Sequence, residues 1–296
     1  MLAQNPPPAW LWGDDTPLTV APETIYPSPR FGHSEGQVEE VLPPRLPGTP
    51  LDTPREPLYL LKRQRDALTE RLSYLCARRL RIAYQTVRWV LPPPPPARAR
   101  RARSAPRATI PPPPQVAVGF VPHALAVRSL DLAAQTCQVR TATGDCQTVP
   151  VQNAADYYRL LALGVFTEDP ERGQLLYSGG WLFGHDLALG FGLHDLLFAP
   201  YFTKVSELLG LPERPAAAPN STGIQGYLAN FSGHAAARQI ITTTLRQLAT
   251  ATDLPELLAA DLRAAPTPLA RELAPRVADW VARRQAGVAQ VVAAEV

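Results

Sequence analysis

Apolar and polar positions along this chain recur with two different periods. Between Pro57 and Leu91, the residues Leu61, Leu68, Leu75, Ile82 and Trp89 fall seven apart, and Leu58 and Leu72 share a second register three residues earlier. A stripe with a period of about 3.6 residues predicts a helix. No Gly or Pro stands between Leu58 and Leu91, so the segment predicts one continuous helix over 57–91, roughly 50 Å long at about 1.5 Å per residue. Pro57 suits a first helical turn, and the run Pro92–Pro96 forces an end. Arg65, Arg79 and Thr86 occupy positions where a coiled coil needs apolar side chains. The helix is therefore expected to pack on its own domain or on a neighbouring subunit rather than to stand as a free coiled coil.

From 115 onward the period changes to two. Gln115–Val121 alternates around Val116, Val118 and Phe120, and Leu125–Leu132 around Leu125, Val127 and Leu130. Thr136–Thr141 faces Cys146–Val151 across a turn that carries Gly144 and Asp145, which predicts a hairpin. A helix follows over Ala154–Leu163, then a short strand over Gln174–Ser178 and an apolar stretch over Trp181–Phe202. Three helices close the chain: one over Ser232–Thr250, a short one opened by Thr252 or Asp253, and a long one from Pro268 to near Ala294, with Pro275 bending it or marking its true first turn. The fold class expected is α+β: a long N-terminal helix flanked by Pro-rich extended arms, then a small antiparallel sheet covered by C-terminal helices. The expected units are an arm over 1–56, the helix over 57–91, a Pro/Arg-rich linker over 92–114 and a body over 115–296, with strands to about 178 and helices from about 181.

Proline sets the character of the first third. Much of the chain's total of 34 prolines falls before residue 115, where they rule out regular structure outside the helix. The arm is not plain polar tail, because Trp10, Trp12, Tyr26 and Phe31 punctuate it. Aromatics on a proline-stiffened extended chain suit a groove on another surface, which makes these four the expected partner-binding residues. The segment Ala97–Arg107 hangs between two polyproline runs, Pro92–Pro96 and Pro111–Pro114.

Charge changes this picture more than composition does. The whole chain carries +3, but thirteen basic side chains lie between Leu58 and Arg107 against only Asp66 and Glu70, an excess of +11. Residues 1–56 hold eight acids against three arginines. A cationic element of this density attracts phosphate backbones or acidic protein segments, and Arg78, Arg79, Arg81, Arg98, Arg100, Arg101, Arg103 and Arg107 are its expected polyanion contacts. The alternative is that its arginines pair with acids of the same fold.

Reaction chemistry has little to stand on. His185-Asp186 and His194-Asp195 are residue types that bind divalent cations and could serve a metal-dependent hydrolase, yet nine residues of continuous helix would put the pairs on opposite faces unless Gly190 and Gly192 break it. No Gly-x-Ser-x-Gly elbow and no phosphate-binding glycine motif occurs. Cys76 is expected to be a buried hydrophobe, and Cys137 and Cys146 flank the hairpin closely enough to approach one another. No stretch reaches the roughly 18 apolar residues of a membrane span, and the N-terminus has no secretory pattern. The expected setting is intracellular and soluble, the interior of a virus or phage particle included. The expectation is a non-enzymatic structural or assembly subunit with no cofactor, whose partners are copies of itself and other structural subunits. A nucleic-acid-binding protein using Arg98–Arg107 and the basic helix is the alternative, and the metal-dependent hydrolase a third.

Overall fold

The computed structural model describes residues 8, 11, 13–27, 39–45, 50, 55–92, 114–141, 143–168, 175–185, 191 and 221–294. Its strands are β1 (Leu18–Thr19), β2 (Ile25–Pro27), β3 (Glu39–Val41), β4 (Tyr59–Arg63), β5 (Val87–Leu91), β6 (Gln115–Gly119), β7 (Leu125–Asp131), β8 (Thr136–Arg140), β9 (Cys146–Pro150), β10 (Leu175–Ser178) and β11 (Trp181–Gly184). Its helices are α1 (Gln64–Arg79), α2 (Ala155–Thr167), α3 (Ser221–Ala229), α4 (Ala235–Thr250), α5 (Leu254–Ala264) and α6 (Pro268–Ala293). The fold is a mixed α+β architecture with two sheets. The expected single small sheet preceded by one long helix is not what forms.

The segment expected as one helix over 57–91 is strand, helix and strand. Only Gln64–Arg79 is helical. At its end Ile82 N–H donates to the Ala77 carbonyl at 2.8 Å and Arg81 N–H to the Arg78 carbonyl at 3.0 Å, while Arg81 adopts φ 54°. This is the reversal that glycine usually makes at a helix C-terminus, built here on arginine. Beyond it Val87–Leu91 alternates as a strand: Val87 and Trp89 enter the main core and Val90 the opposite face. The helix is not amphipathic either. Every residue from Ala67 to Ala77 is buried, so α1 is a central helix with neighbours on all sides rather than a basic face in water.

The first sheet runs β1-β5-β6-β4-β3-β2, with β1 parallel to β5 and the other pairs antiparallel. Its two edge strands are joined by residues 20–24 alone, which reach roughly 20 Å, whereas six flat strands would hold their edges about 24 Å apart. The sheet therefore curls. Inside the curl lie Val20, Val41, Leu61, Val90 and Ala117, with Leu18, Ile25 and Tyr59 against them. Part of the region expected as a free arm thus supplies three of the six strands.

The second sheet runs β11-β10-β7-β8-β9, all antiparallel. The hairpin expected around Gly144 forms, and that glycine takes φ 92°. Bonds from Thr141 N–H to the Asp145 carbonyl and from Val151 N–H to the Gln135 carbonyl fix which residues of β9 face β8, leaving Cys146, Thr148 and Pro150 turned outward. Pro150 has no N–H to offer there, which blunts this edge against a further strand.

The second sheet meets the segment leading into β5 at Gly184, whose N–H donates to the Ala83 carbonyl at 3.0 Å while its carbonyl accepts from Gln85 N–H at 3.3 Å. A Cβ there would stand 2.5 Å from Leu160 Cδ2 and 2.8 Å from Tyr84 Cδ2. The main core joins α1, the outer face of the curled sheet, α2 and the C-terminal helices. The long helix α6 runs unbroken through Pro275, and its buried Arg284 donates to the carbonyls of Val165 and Phe166 at the end of α2.

Candidate functional site

Arg71, Arg78 and Arg79 of α1 and Arg88 of β5 are matched by acids of the same chain, and the acids come from opposite ends of it. Arg71 is 4% exposed. Its Nε and Nη2 grip Asp261 of α5, with Nη2 at 2.6 Å, and its Nη1 donates to the Val87 carbonyl. Trp89 Nε1 donates to the same carboxylate at 2.9 Å. On Glu70, which precedes Arg71 in α1 and has no exposed surface, one carboxylate oxygen lies 2.8 Å from Lys62 Nζ of β4 and the other 2.8 Å from the Tyr84 hydroxyl. Buried charges of this kind survive only with such complete partnering.

Toward the surface the partners come from the N-terminal segment. Leu11, 5% exposed, closes an apolar pocket with Ala83, Val121 and Phe183 and bridges Gln85. Gly13 N–H donates to Thr86 Oγ1 at 3.0 Å. Asp14 folds back on Thr16, accepting from its N–H at 3.0 Å and its hydroxyl at 2.9 Å, and lies 3.5 Å from Arg88. Arg88 donates to the Thr16 carbonyl at 2.7 Å and to the Tyr59 hydroxyl at 3.2 Å. Asp15 pairs with Arg78 and sits 3.6 Å from Arg71. Leu18 and Thr19 then run parallel to Val90 and Leu91. An acidic, leucine-bearing strand thus lies in a groove whose floor is apolar and whose rim is cationic.

The Asp14 carboxyl is held below its ordinary range, chiefly by the Thr16 N–H, then by the Thr16 hydroxyl, with Arg88 and Arg78 adding to it. Asp253 is likewise lowered by its bond to Arg79, whose Nε and Nη2 contact it at 2.8 and 3.1 Å.

Of the expected polyanion contacts, Arg78, Arg79 and Arg81 come together at the C-terminal end of α1. Arg79 and Arg81, with Leu80, Gln247, Thr250 and Ala251, line an open depression of about 350 Å³. Arg78 and Arg79 are engaged by Asp15 and Asp253, so the reading in which arginines pair within the fold describes both. Tyr26 is on β2, 40% exposed, with the Arg55 guanidinium 5.2 Å over its ring. Trp10, Trp12, Phe31, Arg98, Arg100, Arg101, Arg103, Arg107, Asp186, His194 and Asp195 lie outside the described residues, and His185 directly follows β11. Among the described residues no group of three or more His, Cys, Asp or Glu is placed to hold a metal ion, and no helix is long and apolar enough to cross a membrane. Cys137 and Cys146 are both free thiols. The strand register sets Cys137 opposite Val149 and Cys146 opposite Arg140, and burial pushes the Cys137 thiol up to about 11.

Leu11, Asp14, Asp15, Arg71, Arg88 and Asp261 carry the site, and none was a sequence candidate. The signal available was the acidic excess of residues 1–56 beside the basic excess of the next fifty, together with Asp-Asp-Thr-Pro as a turn. No family model, no curated protein and no solved structure matches this chain.

Proposed function

We propose that this chain is a non-enzymatic structural subunit of a larger assembly, of the kind found in a virus or phage particle, with its N-terminal arm and cationic helix as the contact elements toward copies of itself and other structural subunits. The observation that carries this reading is the seating of Asp14 and Asp15 on Arg88, Arg78 and Arg71. An acidic strand and the groove that fits it are a ready-made contact, with electrostatic complementarity supplying specificity. The light-scattering mass of the purified chain on a sizing column, at low and high salt, tests it. A discrete multimer free of nucleic acid that falls apart in salt supports the reading, and a monomer at every concentration overturns it.

A second reading, nucleic-acid binding, draws on a different observation. β5 and β6 are antiparallel neighbours, so the Pro/Arg-rich residues 92–114 join them at one end of the curled sheet, the end where Arg63 stands opposite Gln115. Cations concentrated there would contact phosphates with little base selectivity. Absorbance at 260 and 280 nm across the same column peak reports it. Replacing Arg98, Arg100, Arg101, Arg103 and Arg107 by Ala should flatten the salt dependence of binding to a generic duplex, and an unchanged slope would remove this role from the segment.

A further inference from the structure

The groove that holds Leu11 and residues 13–19 is built from later parts of the chain. Its floor is Ala83, Val121 and Phe183, its rim Arg78 and Arg88, and its far wall the edge of β5. Left empty, it would expose an apolar pocket, two cations without acids and a row of unpaired strand groups. The occupant it calls for is an extended strand with a leucine, then two acids, then residues able to ladder onto Val90 and Leu91. Every copy of this chain carries such a strand.

The way the strand is tethered matters. β1 and β2 hold opposite edges of the curled sheet, joined only through Val20–Thr24, where Pro22 opens a single 3-10 turn and Ala21 before it is extended at φ −73°, ψ 127°. Residues 11–19 can therefore leave while β2 stays paired to β3. The bonds that would break are modest. The β1–β5 ladder is two residues long, and each ion pair has one member open to water, Asp14 at 64% against Arg88 at 14% and Arg78 at 43% against Asp15 at 24%, so solvent screens both pairs. Release and re-docking on another copy restores every contact that was lost, so effective concentration decides between the two arrangements.

We propose that in the assembled state residues 11–19 of each copy dock in this groove of the next copy, each chain donating one strand and receiving another. The proposal rests on the assembly reading and specifies its contact. Donor and acceptor are different surfaces, so the contact is heterologous and closes into a ring or grows as a chain.

The test is a cross-link that can form only between copies. Thr19 and Leu91 are Cα partners and both are exposed. One preparation carries Thr19→Cys and the other Leu91→Cys, both with the exposed Cys146 replaced by Ser, leaving Cys76 and Cys137 buried. The two are mixed, assembled and oxidised. A covalent heterodimer in the multimer peak is the expected result. Multimers that yield no heterodimer, while the double variant Thr19→Cys/Leu91→Cys locks within single chains, overturn strand exchange and leave the assembly reading standing. The absence of any multimer overturns both. A charge-swapped pair gives a second, independent readout. Asp15→Arg and Arg78→Asp each spoil docking within a chain, but mixed together each strand fits the other's groove. A mixed multimer that neither variant forms alone is expected, and failure to gain one counts against exchange.

Discussion

Arg71 and Asp261 lie 190 residues apart in sequence and meet in a forked pair, Nη2 at 2.6 Å and Nε at 3.1 and 3.2 Å from the carboxylate. The pair joins the central helix to α5, and Trp89 Nε1 and the Val87 carbonyl tie β5 into it. Arg71 also lies 5.5 Å from the Tyr74 ring centre. Removing one member of a buried pair strands the other, which typically costs about 3–5 kcal/mol. Arg71→Met and Asp261→Asn are each expected to lower unfolding free energy by about that amount in denaturant titration. Because they remove one interaction, the double variant should lose clearly less than the sum. Additive losses would mean the two residues are energetically independent despite their geometry.

Gly184 is where β11 lies against the Ala83–Gln85 segment leading into β5, and no side chain fits there. A methyl group would meet both Leu160 and the Tyr84 ring well inside contact distance, and both residues are held in the main core. Gly184→Ala should destabilise by about 1–3 kcal/mol through overpacking. Gly179→Ala is the wrong control because that residue has φ 56°. Gly233, with open space where a Cβ would lie, is the right one and should tolerate Ala. Equal losses at 184 and 233 would contradict the close approach.

Much of the burial was legible in the sequence, while the chain path through it was not. Leu61, Leu68, Leu75, Ile82 and Trp89, read as one helical stripe, are all buried, from 0% to 6% exposed. They belong to β4, α1, the reversal after it and β5. Their spacing of seven is shared across elements, and periodicity cannot reveal a break inside such a run. The break itself gave no sign, because the left-handed position is filled by Arg81 rather than Gly. The hairpin at Gly144 was legible because strict alternation and a turn residue agreed. The strands β1–β3 were hidden by the prolines around them, since Pro27 ends a sheet-edge strand and Pro22 opens a turn. The acid partners of the arginines were visible only as a charge imbalance, and residue-by-residue pairing depends on contacts up to 190 residues long.

Arg81 offers a separation of backbone role from charge. An L-residue at φ 54° carries a local cost of roughly 1–2 kcal/mol, and glycine relieves it at an unfolded-state cost of about 0.5–1 kcal/mol. Arg81→Gly should therefore leave stability unchanged or raise it by up to about 1.5 kcal/mol, while deleting a cation from the depression it shares with Arg79. If polyanion binding by the folded body falls in this variant with melting temperature preserved, the loss belongs to the side chain. A fall in melting temperature would show that the Arg81 side chain contributes more to the fold than its backbone costs.

Acid should loosen the docked strand before it unfolds the body. The Asp14 carboxyl in the folded chain titrates below its ordinary value of 3.8, chiefly through two bonds from Thr16 that travel with the strand, and to a lesser degree through Arg88 and Arg78 of the groove, whose share alone is lost on release. A group whose folded pKa is lowered contributes its stabilisation in full above the unfolded value and loses it as pH falls through the folded one. The part of that stabilisation owed to Arg88 and Arg78 should thus hold the strand across the neutral range and weaken as pH drops below 3.8. Hydrogen exchange at Gly13 N–H, which docking ties to Thr86, reads this directly, after correction for the intrinsic pH dependence of exchange. Protection at Gly13 is expected to fall in acid while that of the buried α1 amides persists. Asp14→Asn keeps an acceptor for the Thr16 N–H but has no proton to gain, so its Gly13 protection should respond less steeply. An identical acid response in the two proteins would assign the release to some other carboxylate.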